Sequence, residues 1–155
     1  MGNAAQGQTA TDQEINERLT DAIRAYDGGD LETAWESWQW AARAGNTDAM
    51  TFLASMLERG EGLRPDTRRA AAWYRRAAER GDTIGQLNLG EMYLNGRGLK
   101  RDRVEAVFWL TLAGRGGNVW AAEKSVAAAT GLNIAARKVI TARVNKWTAE
   151  GGAIR

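Results

Sequence analysis

The stretch Ala49–Gly81 occurs twice, and the second copy begins 36 residues after the first. Ala49, Leu53, Met56, Gly60, Gly62, Leu63, Asp66, Ala70, Trp73, Ala77 and Gly81 return as Gly85, Leu89, Met92, Gly96, Gly98, Leu99, Asp102, Ala106, Trp109, Ala113 and Gly117. One insertion or deletion would destroy that register. A fixed period of this size means supersecondary units stacked side by side, each burying its apolar face against the next. The repeated residue types describe the unit. Gly60 and Gly96 suit the left-handed end of a helix, where a Cβ would clash. Asp66 and Asp102 suit the start of the next helix, as caps and as charges that complement its dipole. Ala70/Ala106 and Ala77/Ala113 let two helices approach, and Trp73 and Trp109 are expected to fill the space those alanines leave.

The pattern extends outward. Thr11-Asp12-Gln13-Glu14 has the form of a capping box. Ile15, Leu19, Ala22, Ile23 and Tyr26 then form one helical stripe that Gly28-Gly29 ends. Asp30, Ala34, Trp38, Ala41, Ala42 and Gly45 stand 36 residues before Asp66, Ala70, Tyr74, Ala77, Ala78 and Gly81, so half of the unit occurs a third time. Further helices are expected over about 46–59, 66–80, 82–95, 102–116, 118–130 and 133–150. On the last, Leu132, Ala136, Val139, Ile140, Val144 and Trp147 share a face. No alternation marks a strand. The expected fold is therefore all-α, a solenoid of about four antiparallel helix pairs. Its units cover about 11–45, 46–81, 82–117 and 118–150 within a single domain, 11–152. Residues 1–10 are small and polar, and are expected to be flexible.

With 155 residues, 44% of them hydrophobic, the chain can bury a real core. It has no cysteine and no histidine, which removes disulfides, a thiolate nucleophile, an imidazole base and zinc sites built from those residues. Charge is unevenly divided. Residues 1–60 carry four basic and ten acidic side chains, a net −6; residues 61–155 carry 17 basic and nine acidic, a net +8. Such poles either drift along a solvated surface or orient a partner electrostatically. No run of 18 apolar residues predicts membrane insertion. The N-terminus lacks a basic start followed by an apolar run, so the chain as written is expected in the cytoplasm, or in the periplasm if a leader preceded it.

The segments "GQLNLGEMYLNGRGLKRDRVEAVFWLTLAGRGG" and "AMTFLASMLERGEGLRPDTRRAAAWYRRAAERG" resemble the Sel-1-like repeat family, a bacterial-type branch of the tetratricopeptide-like helical repeats. The first departs from the family pattern at Leu99 (usually Val), Leu110 (usually Tyr) and Gly114 (usually Ala); the second at Ala54 (usually Gly) and Leu57 (usually Tyr). None of these changes touches a loop glycine or a cap. The resemblance covers 49–117 fully, is partial over 12–45, and gives way to a diverged ending over 118–150. It implies a right-handed superhelix whose first helices line a concave face. It also implies an adaptor or scaffold for protein complexes rather than an enzyme.

Several constellations compete with that reading. "GEG" and "GRG" have the look of phosphate loops, but no strand precedes them and no Gly-Lys-Ser/Thr follows. Arg68, Arg69, Arg75, Arg76 and Arg80, then Arg97, Lys100, Arg101 and Arg103, crowd together as in a nucleic-acid footprint. Interspersed acids and the lack of alternating aromatics favour a solvated surface instead. Glu58 and Glu91 sit at non-equivalent repeat positions, and no nucleophile accompanies them. Among the tryptophans, Trp38, Trp73 and Trp109 are expected in the core. Trp40 and Trp120 fall off the repeat positions and are candidates for partner contact.

Repeat logic supplies the other candidates. Met50/Gln86, Thr51/Leu87 and Ser55/Glu91 vary between copies on the first helices, and the Asn88 amide is placed to hold a peptide backbone, by analogy with neighbouring repeat families. The expected function is a non-catalytic protein–protein interaction module, an adaptor or accessory subunit that takes another protein or a peptide on a preformed surface. The alternatives are an inhibitor or immunity-type protein that occludes one enzyme, and a small carboxylate-based hydrolase. No catalytic or metal residue, cofactor or small-molecule substrate is expected, and nucleic acid is disfavoured.

Overall fold

Eight helices account for most of residues 10–152, the part of the chain that the computed structural model describes. Each starts at a Thr, Asp or Asn whose side chain accepts a backbone N–H two or three residues on, over 2.6–3.2 Å. Those contacts satisfy donors that a helix cannot satisfy internally, so the caps set the boundaries. The helices are α1 (Asp12–Asp27), α2 (Leu31–Arg43), α3 (Thr47–Arg59), α4 (Thr67–Glu79), α5 (Thr83–Asn95), α6 (Arg103–Arg115), α7 (Val119–Ala129) and α8 (Ile134–Ala149). Thr11 and Glu14 form the expected capping box. No strand occurs among the described residues. The segment expected to be flexible, 1–10, lies outside them except for Ala10.

The period becomes architecture through α1/α2, α3/α4 and α5/α6, which pack as hairpins. Each first helix also lies against the second helix of the unit before it: α3 on α2, α5 on α4, α7 on α6. This is a solenoid, in which each unit touches only its neighbours. Gly60 and Gly96 close α3 and α5 in the left-handed region, at φ 73° and 69°. In the loop that follows α5, Gly98 (φ 66°) lies so close to α4 that a Cβ there would sit 2.1 Å from the Thr67 carbonyl oxygen.

The core forms two clusters. The first surrounds Trp38 with Ala22, Ala34, Ala41, Ala49, Met50, Leu53 and Met56. The second runs from Leu57 through Leu89, Met92 and Leu110 to Val144 and Trp147. Trp35 and Trp73 pack against both and join them. Trp73 is therefore half-buried at a seam rather than enclosed, whereas Trp109 is buried as expected.

The last unit departs from the others. The helix α8 packs on α6 and hardly touches α7. It is held there by Ile140, Val144 and Trp147, with Trp147 edge-on to Phe108 and Trp109 at ring-centroid distances of 6.3 and 5.6 Å. Val139, expected on that face, is exposed, because the buried stripe is i, i+4, i+7 from Ile140 and Val139 lies beside it.

Candidate protein-binding groove

The first helices of the two central units, α3 and α5, lie next to one another. Between them runs a groove of about 690 Å³, floored by Tyr74 of α4 and closed at one end by Arg97 of the α5–α6 loop. Its walls are Asp48, Thr51, Phe52, Ser55, Glu58 and Arg59 of α3 and Ile84, Asn88 and Glu91 of α5. Two large apolar side chains project here: Phe52 is 43% exposed and Ile84 50%. Phe52 is fixed in place by stacking on the buried Trp38, with centroids 4.9 Å apart and planes 5° from parallel. An aromatic held rigid before binding gives up little conformational freedom on binding.

The groove's charges are mostly neutralised internally. Glu58 pairs with Arg97, and Glu91 pairs with Lys124 of α7. Each pair joins a first helix to the following unit. The Tyr74 hydroxyl lies 3.5 Å from Glu58; burial, then the Glu58 carboxylate, push its phenol up to about 12. At this margin of the groove the hydroxyl therefore remains a neutral donor at ordinary pH. The two carboxylates that a hydrolase would need thus each face a cation.

The sequence-derived candidates divide. Thr51, Ser55, Asn88 and Glu91 line the groove together. Met50 and Gln86 do not: both are buried, Met50 in the Trp38 cluster and Gln86 with its amide donating to the Ala78 carbonyl at 3.3 Å. They vary between copies because neighbouring cores differ, and as contact residues they are corrected. Leu87 packs against the main core rather than lining the groove. The Asn88 amide already donates to the Ile84 carbonyl at 2.9 Å, which leaves its oxygen free to accept. Trp40 is half-buried, with the Arg18 guanidinium 5.3 Å from the ring centroid. Trp120 is 59% exposed on α7, with the Lys124 ammonium 5.0 Å from the ring centroid.

Sequence reasoning missed Phe52 and Ile84. The signal was present. Phe52 stands one period before Asn88, and Ile84 one period before Trp120, so both share a register with residues already singled out.

Helix hairpins stacked at a fixed period, with a groove on their first helices, define an α/α solenoid. Residues 47–82 and 83–118 each match the Sel1 repeat, and the chain carries two Sel1 repeats at its centre. Sel1-repeat proteins are generally protein-interaction modules.

Solved structures share the fold. A protective antigen of uropathogenic Escherichia coli that displays an SLR fold aligns over 90% of this chain and 33% of its own length, with 26% identity and a TM-score of 0.72. A Sel1 repeat protein from Oxalobacter formigenes aligns over 69% of this chain and 44% of its own, with 24% identity and a TM-score of 0.64. Helicobacter pylori cysteine rich protein B aligns over 74% and 97%, with 20% identity and a TM-score of 0.60. The chain thus spans under half the length of the first two. No curated protein matches it in sequence.

Proposed function

We propose that this chain is a non-catalytic adaptor that takes a segment of another protein in the groove between α3 and α5. The observation that carries this reading is the pair Phe52 and Ile84, two large apolar side chains exposed in an otherwise mostly polar groove whose charges are largely paired. Apolar anchors in a preformed site, rimmed by polar groups, are the usual core of an interface. No described helix is long and apolar enough to cross a membrane.

A photo-crosslinking residue at position 84 tests this. It is expected to capture a partner protein, and Ile84→Asp elsewhere in competition is expected to lose to the parent chain. The same crosslinker at Ala72, exposed on the second-helix side, serves as control. Equal capture from position 72 refutes groove binding.

The division of charge between the two halves favours a second reading, an inhibitor that occludes one target enzyme. Its on-rate would fall steeply with salt, whereas apolar docking in the groove would be nearly indifferent to it.

A further inference from the structure

Because α8 leans on α6, an apolar cleft of about 310 Å³ opens between α7 and α8, separate from the α3–α5 groove. Val107, Ile140 and Val144 form its buried floor, and Val126 of α7, 73% exposed, stands at its wall. Along α6, Val107, Thr111 and Arg115 line it at i, i+4 and i+8, about 12 Å at 1.5 Å per residue.

A guanidinium stands at each end. Arg115 reaches the Thr148 hydroxyl near the end of α8, at 3.3 Å. Arg137 sits at the other end, donating to the Ala129 and Leu132 carbonyls where α7 stops. No carboxylate is among the lining residues.

We propose that this cleft receives an amphipathic helix of a partner protein, with aliphatic side chains at its centre and a carboxylate about one turn beyond them on either side. Two acids seven or eight residues apart on a helix are about 10–12 Å apart, comparable to the stretch of α6 from Val107 to Arg115 that lines the cleft. The aliphatic side chains fill the floor, and the acids meet Arg115 and Arg137. A second copy of this chain is a poorer occupant. Its acidic α1 exposes a single large aliphatic side chain, Ile23, beside the cation Arg24, and so lacks an aliphatic centre flanked by acids.

The test uses the intact chain, labelled with ¹⁵N, and two synthetic helical peptides. One carries leucines at the centre of a face with glutamates one turn outside them; the other has lysines in place of the glutamates. The glutamate peptide is expected to shift amide resonances of α6, α7 and α8, and the lysine peptide to bind at least about tenfold more weakly. Arg115→Gln is expected to weaken the glutamate peptide about fivefold. Val126→Asp is expected to abolish binding with an unchanged far-ultraviolet spectrum, since that side chain is largely in solvent. Equal binding of the two peptides overturns the proposal, as do shifts confined to α3 and α5 or no shifts at all. Self-association of the free chain in sedimentation, dissolved by Val126→Asp, also overturns it and assigns the cleft to a second copy.

Discussion

Gly96 and Gly98 give a matched pair of perturbations in one loop. Their φ angles are nearly identical, at 69° and 66°. Alanine at either position must adopt a left-handed conformation, which costs roughly 1–2 kcal/mol. Their surroundings differ. At Gly96 the nearest atom a Cβ would meet is the Arg101 Cβ at 3.4 Å, ordinary contact. At Gly98 it would meet the Thr67 carbonyl oxygen at 2.1 Å and the Arg68 nitrogen at 3.0 Å, both backbone at the start of α4. Backbone at a capped helix start cannot move without disturbing the cap, so overpacking there adds roughly 1–3 kcal/mol. Gly98→Ala should therefore be less stable than Gly96→Ala by about 2 kcal/mol. With a urea m-value of about 2 kcal/mol/M, the midpoints should differ by about 1 M. Urea unfolding followed by both far-ultraviolet circular dichroism and tryptophan fluorescence measures this. Midpoints that agree within about 0.2 M would refute the claim that contact between units, rather than backbone conformation alone, makes Gly98 necessary.

Other outcomes follow from the same contacts. Trp147→Ala removes the aromatic that binds α8 to α6 and should cost about 3–5 kcal/mol in chemical unfolding, with α8 amides losing hydrogen-exchange protection first. Tyr74 titrates near 12 in the fold and near 10 when unfolded, so between these values the unfolded state binds fewer protons. Stability should fall by on the order of 2 kcal/mol as pH rises from 10 to 12, and Tyr74→Phe should flatten that slope. A double-mutant cycle on Glu58 and Arg97 should give a coupling below about 1 kcal/mol, since a partly exposed pair is screened by solvent.

The sequence was most legible where a residue's job is local. Caps and left-handed glycines act within one turn, so helix limits followed from Asp66, Gly96 and their equivalents to within a residue or two. The groove was less legible, because the period shows which positions vary but not which way they point. Met50 and Thr51 are adjacent and both vary, yet about 100° of helix separates them, and only Thr51 reaches the groove. The change from Met50 to Gln86 read as freedom at a surface. It is instead a buried apolar site exchanged for a buried hydrogen bond. The splay of α7 from α8 was hidden for a further reason. It depends on α8 finding a better apolar surface on Phe108 and Trp109 than on α7, and no local signal records that preference.

The basic second half takes on a different meaning once its guanidiniums are followed individually. Arg69 lies over the Trp35 ring at 5.8 Å and Arg76 over Trp73 at 4.8 Å, the two half-buried tryptophans that join the core clusters. Arg75 donates to the Tyr93 hydroxyl at 2.6 Å, linking one unit to the next. Arg143 covers Phe108 at 4.0 Å and pairs with Glu105. Arg97 and Lys124 are taken by Glu58 and Glu91. Of the nine cations that look like a footprint for a polyanion, four, Arg69, Arg75, Arg76 and Arg97, are thus engaged at seams between aromatics or units, where a planar guanidinium both packs and remains hydrated. A nucleic-acid site needs its cations free to exchange counterions for phosphates. The cations with aromatic or carboxylate partners are not free in that sense, and that part of the basic half serves to close the solenoid's own joints.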